Sequence, residues 1–187
     1  INISSSILAR HGVDGVDAKK VSLPGGGSGF GTSNQIVVNP SWHLQSIAVF
    51  EGSNAGGEYR LYFAQPGGAS AAEMLPASLA PGDLTFPAIS TDGNMLAYVS
   101  DETGSGDIRE WNRSTNKVTQ LTNSSHSEMF PMYHKDGESI LFTRKQNNSE
   151  DVFQLTVSKA WKSNPDWSSP DAPKETLLAG GDGDQTR

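Results

Sequence analysis

The phrase Phe86-Pro87-Ala88-Ile89-Ser90-Thr91-Asp92-Gly93, followed by Met95-Leu96-Ala97-Tyr98, returns as Phe130-Pro131-Met132-Tyr133-His134-Lys135-Asp136-Gly137, followed by Ser139-Ile140-Leu141-Phe142. Pro131 lies 44 residues after Pro87 with no gap inside the phrase, a period that matches one four-stranded blade of a β-propeller. Each Asp-Gly pair sits between two short apolar runs. That is a hairpin signal, because Asp and Gly tolerate the positive φ of a tight turn.

Downstream of the first phrase, Met95 to Val99 reads as a strand, Ser100 to Gly106 as a polar turn and Asp107 to Trp111 as a strand. Ser114 to Asn116 then makes a turn and Lys117 to Thr122 a fourth strand. The second copy repeats this order with Ser139 to Thr143, the turn Lys145 to Glu150, and Asp151 to Val157. An insertion from Lys159 to Pro173 delays its last strand, Glu175 to Leu178. The Pro and Ser content of the insertion predicts a loop rather than a helix.

Upstream, Ser41 to Val49 aligns without gaps on Ser90 to Tyr98 as a worn copy that lacks the Asp-Gly turn, and Glu58 to Ala64 supplies a further strand. Ser6 to Ala9 and Lys20 to Leu23 read as the last two strands of a preceding blade. The expected fold is therefore all-β, a propeller of four-stranded antiparallel blades with about three and a half blades in this chain. The divisions are 1–34 (end of one blade and a Gly-rich linker), 35–83 (degenerate blade), 84–127 (blade) and 128–187 (blade, insertion and start of the next connection). With Ile1 in place of an initiator Met, the chain reads as a processed, trimmed or excerpted product.

Composition narrows the function classes. Fourteen basic residues against 21 acidic give a net charge of −7, which argues against a nucleic-acid or anionic-membrane binder, since these need a basic face. No apolar run reaches the roughly 18 residues of a membrane helix, so membrane insertion is not expected. The absence of cysteine excludes a disulfide framework, a thiolate metal site and a Cys nucleophile.

The two phrases resemble the TolB-type propeller repeat, in which a Pro, a polar-Asp-Gly turn, an apolar strand and an Asp-Ile-Tyr-like strand succeed one another. Phe86 to Trp111 and Phe130 to Leu155 carry the match, and Gln35 onward carries a degenerate form. The resemblance implies architecture more than activity, because this repeat serves periplasmic partner-binding proteins, gating domains of prolyl-oligopeptidase-like and tricorn-like proteases, and polysaccharide lyases. It also implies a periplasmic or extracellular setting.

Repeated residues in a repeat protein serve the repeat. Phe86 and Phe130 are expected to pack between blades, Pro87 and Pro131 to fix the entry of the inner strand, and Asp92 and Asp136 to accept backbone hydrogen bonds beside Gly93 and Gly137. No catalytic residue emerges. Gly25 to Gly29 contains Gly27-Ser28-Gly29 without the strand and helix of a nucleophile elbow, and it forms neither a Walker loop nor a dinucleotide fingerprint. His126 and His134 could approach the channel with Glu128, the sole arrangement that suggests a divalent cation, and no other cofactor is implied. Asp101 to Asp107 and Asp182-Gly183-Asp184 have ordinary turn chemistry. Trp161 and Trp167, in the insertion, are candidates for partner binding.

The function expected is a non-catalytic binding or scaffold module, part of a propeller completed by a protein partner, by the rest of a longer chain or by self-association; two copies would give seven blades. The alternative is the propeller portion of a lyase or hydrolase with catalytic residues mostly elsewhere.

Overall fold

The computed structural model describes residues 7–8, 19–20, 37–43, 47–54, 56–64, 72–146 and 149–180. Among them, β1 (Ile7–Leu8) pairs antiparallel with β2 (Lys19–Lys20). The remaining strands form three four-stranded antiparallel sheets, each a consecutive meander. The first blade is β3 (Val37–His43), β4 (Ile47–Ser53), β5 (Tyr59–Ala64) and β6 (Ala72–Glu73). The second is β7 (Leu84–Ile89), β8 (Met95–Ser100), β9 (Asp107–Asn112) and β10 (Lys117–Gln120). The third is β11 (Ser127–Tyr133), β12 (Ser139–Gln146), β13 (Ser149–Thr156) and β14 (Lys174–Ala179). The chain is a partial all-β propeller.

Two apolar cores lie between the sheets rather than within them. Val49, Leu61, Met74, Leu75 and Ala80 of the first blade and its exit meet Leu84, Ile89, Leu96 and Tyr98 of the second. On the far face of the second blade, Ala88, Ala97, Val99, Ile108 and Leu121 meet Ile140, Phe142, Phe153, Leu155 and Val157. Alternation along β8 explains this: Leu96 and Tyr98 turn one way, Ala97 and Val99 the other, and both sets are buried. A strand apolar on both faces is the signature of a sheet covered on both sides.

The worn copy is registered differently from the gapless alignment. Ser41 faces Val49 where Ala88 faces Ala97 and Met132 faces Leu141, so Asn39-Pro40 stands where Phe86-Pro87 and Phe130-Pro131 stand. The gapless alignment is one residue out in β4, where Val49 is the counterpart of Ala97 rather than Tyr98, and two out in β3; the shorter turn, three residues between His43 and its partner Ile47 against four between the bonded Ser90 and Met95, adds the second residue. An alignment carried across turns of unequal length slips every residue before the turn.

The insertion is not all loop. Ser158 caps a short helix, α1 (Lys159–Ser163), its hydroxyl accepting from the Trp161 amide at 3.1 Å. Trp161 drops into the core between the second and third blades, and its indole Nε1 donates to the Asp166 carbonyl at 2.8 Å. Pro165 and Pro170 lie beyond the helix, where they no longer oppose it. The expected strand at Lys20 to Leu23 falls outside the described residues after Lys20, as do Gly25 to Gly29, His11 and Asp182 to Asp184.

Candidate functional site

The Phe-Pro pairs sit in β-bulges on the innermost strands of the second and third blades. Register shifts between Thr85 and Ala88 and between Met129 and Met132, leaving Phe86-Pro87 opposite Tyr98 and Phe130-Pro131 opposite Phe142. Proline suits this place because the ladder is already interrupted and no N–H is required. The residue before it takes the extra bend: Phe86 has φ 49° and Phe130 φ 54°. Left-handed backbone costs an L-residue about 1–2 kcal/mol. The amide of Phe86 donates to Glu51 of the first blade at 2.6 Å, and the two rings meet edge to face across the blades with centroids 4.5 Å apart.

The turn aspartates close their hairpins. Asp92 accepts from the Ser90 hydroxyl at 2.6 Å and the Asn94 amide at 3.0 Å, which hold its carboxyl below the ordinary range. Asp136 accepts from the amides of Glu138 and Ser139 at 2.8 and 2.9 Å, and its pKa falls further for that reason. Gly93 (φ 73°) and Gly137 (φ 70°) supply the left-handed residue of each turn.

The structure does not gather His126, Glu128 and His134. His126 precedes β11 and is exposed, whereas His134 follows it and pairs with Asp136 at 2.8 Å. A strand of this length holds its ends about 20 Å apart at ~3.3 Å per residue. Glu128 instead lies buried at the start of β11, where its carboxylate accepts from Arg144 Nε at 3.1 Å, from the Ile108 amide at 3.3 Å and from the Thr122 hydroxyl. Burial pushes its pKa up in spite of these donors. Arg144 reaches on to Glu175 at 2.7 Å; burial opposes its charge, but its hydrogen bonds to Glu175 and Glu128 outweigh that and raise its pKa. Among the described residues no group of three His, Asp or Glu could hold a metal ion. Neither the His126 nor the His134 ring bonds a serine hydroxyl.

Trp161 and Trp167 are brought together, rings edge to face with centroids 5.1 Å apart, but only Trp167 is exposed, at 47%. The helix also reaches back to the second blade. Lys162 Nζ lies 2.7 Å from Oε2 of the buried Glu110, which also accepts from the Tyr133 hydroxyl at 2.8 Å. The insertion thus acts as an interblade clip.

The residues that sequence reasoning missed form the far face of the third blade. Register makes Met132, Leu141 and Val152 the counterparts of Ala88, Ala97 and Ile108. The latter three are buried in an interblade core, whereas Met132 is 58% exposed, and Leu141 and Val152 are partly exposed. Together with Phe130, which is 52% exposed, they line an apolar groove of about 500 Å³. Leu177 and Leu178 of β14 are also exposed. The available signal was the unbroken run Ile140-Leu141-Phe142, apolar toward both faces.

No family model matches the chain, and no curated protein matches it. Solved structures do. A protein assigned as TolB from Agrobacterium tumefaciens superimposes with TM-score 0.61 at 16% identity, over 80% of this chain and 51% of that one. A chain of a nidogen/laminin complex gives TM-score 0.57 at 9% identity, over 79% and 49%. The propeller domain of the Trilobed protease from Pyrococcus furiosus gives 0.54 at 11% identity, over 78% and 43%. The chain spans about half the length of these three structures. At these identities the likeness is one of fold, and the fold is that of a TolB-like β-propeller.

Proposed function

We propose that this chain is a non-catalytic binding or scaffold module, a portion of a TolB-like propeller whose third blade offers its apolar far face to another protein surface. The observation that carries this reading is a comparison inside the molecule. The far faces of the first and second blades are buried by the blade that follows, while the equivalent residues of the third, Met132 foremost, meet solvent. An exposed apolar face of this kind marks an interaction site. The partner is a blade-like β surface, in this polypeptide or another, and neither a cofactor nor nucleic acid belongs to the reading. A periplasmic or extracellular setting is part of the same proposal, drawn from the TolB likeness. No described helix is long and apolar enough to cross a membrane.

Photo-crosslinking from position 132 in the protein as it occurs in its source tests this. A crosslink that maps to a β-rich polypeptide segment is expected, and protein carrying the activated label with no polypeptide adduct would refute it.

A further inference from the structure

We infer that the surface covering the third blade is another blade of this repeat with an aromatic-Pro pair at its inner-strand bulge, its ring set against Phe130 as Phe130 is set against Phe86, and that none of the three described blades of a second copy can supply it. The inference rests on the binding reading above and names the partner's chemistry.

The inner strands carry an aromatic ladder. Its first step is Phe86 on Phe130, with ring centroids 4.5 Å apart at 61°. Both residues hold left-handed backbone inside bulges of matching register, so the bulge, rather than a free choice of rotamer, sets the position of each ring. Strain of this kind persists where surrounding structure fixes it. Phe86 is fixed on both sides, by Glu51 at its amide and by the Phe130 ring. Phe130 has the Phe86 ring on one side, is 52% exposed, and borders the groove that Met132, Leu141 and Val152 continue. The next element in the repeat therefore meets a half-covered ring beside an apolar sheet face.

The second interblade core defines what fits there. Against the second blade the third brings Phe130 at its bulge, Ile140 and Phe142 from β12, and Phe153 and Leu155 from β13. A blade with that pattern repeats the interface one step on.

Among the described residues, the three blades offer no free face of that description. The near faces of the second and third blades are already within the two cores. The first blade has Asn39-Pro40 at its bulge, a pair that contains no aromatic residue to extend the ladder. Its Phe50 and Tyr62, the counterparts of Phe142 and Phe153, are 1% and 2% exposed. They are covered already, so they are closed to a second copy.

The test extends the full chain directly after Arg187 with a second copy of residues 84–127, the blade that carries Phe86-Pro87. Amide exchange across 129–133 and 139–143 and the thermal midpoint are then compared with those of the unextended chain. Added protection and a higher midpoint are expected. Phe86→Ser in the appended copy alone should lower the added protection about 2- to 10-fold, the equilibrium factor of an aromatic pair. A parallel extension with residues 128–180, carrying Phe130-Pro131, guards against one appended blade failing to fold. If neither extension protects the third blade, the inference that a blade of this repeat covers it is overturned, and the binding reading is decided separately by the crosslink from position 132. If the Phe86→Ser extension protects equally, the ladder inference is overturned and the binding reading stands. A concentration-dependent dimer of the unextended chain that protects Met132 would also overturn it, by making a second copy the occupant.

Discussion

Replacing Arg144 by methionine removes the one cation that pairs with the Glu128 carboxylate among the described residues, a guanidinium that also lies over the Phe142 and Phe153 rings, and keeps an unbranched apolar side chain in its place. The Glu128 side chain has no exposed surface, so water cannot substitute for the lost guanidinium. Breaking a buried pair in this way costs about 3–5 kcal/mol, the larger part being the stranded charge. With a urea dependence of about 2 kcal/mol per molar, the unfolding midpoint should fall by roughly 1.5–2.5 M. The stranded carboxylate should also take up a proton more readily, so the loss relative to wild type should shrink as pH is lowered toward 5. The partner variant is Glu128→Leu with Arg144→Met, because Leu84 occupies the place of Glu128 in the second blade. The Ile108 amide keeps its 2.8 Å bond to the Thr122 hydroxyl, and Glu175, 32% exposed, remains solvated. The double variant should therefore recover most of the loss. An Arg144→Met cost under about 1 kcal/mol, or a double variant no more stable than the single, would refute the argument from buried charge.

Trp161→Ala should destabilise by about 3–5 kcal/mol in urea unfolding, because it empties an interblade position, whereas Trp167→Ala should cost about 1 kcal/mol, the scale of an edge-to-face pair. Gly180→Ala should destabilise by more than about 1 kcal/mol, since φ is 123° there and a Cβ would strike the Asp151 carboxylate, a result readable in the thermal midpoint. Asp92 and Asp136 both have pKa values lowered by hydrogen bonds in the folded state. Their contribution is therefore present above the unfolded carboxylate value, about 4, and is lost as pH falls below it. Asp136→Asn should shallow the acid limb of stability against pH, and carboxyl NMR of Ser90→Ala should show the Asp92 pKa rising.

The repeat was legible because a blade is a local object. Its hairpins are set by Asp-Gly turns and its strands by apolar runs, so Asp92-Gly93 and Asp136-Gly137 announced strand order without knowledge of any distant partner. The worn copy misled because its turn is shorter and its register shifted while its strands keep their composition, so Asn39-Pro40 stands in the bulge where a gapless alignment selects Val37-Val38. The helix in the insertion was hidden because its cap, Ser158, and its anchor, Trp161, act through a core that residues distant in sequence build.

Site chemistry was less legible for the same reason. Sequence placed Glu128 beside His126 and His134 because they are near in number, but an extended strand separates near neighbours and pairs Glu128 with Arg144 on the adjacent strand. By itself the sequence determined the blade, its period, its turns and the classes of chemistry closed to a cysteine-free acidic chain, all of which follow from local propensity and composition. The tertiary structure alone decided which apolar residues stay uncovered. Ala88 and Met132 occupy one position in the repeat, and only the presence of a further blade against Ala88, and not against Met132, makes one a core residue and leaves the other exposed.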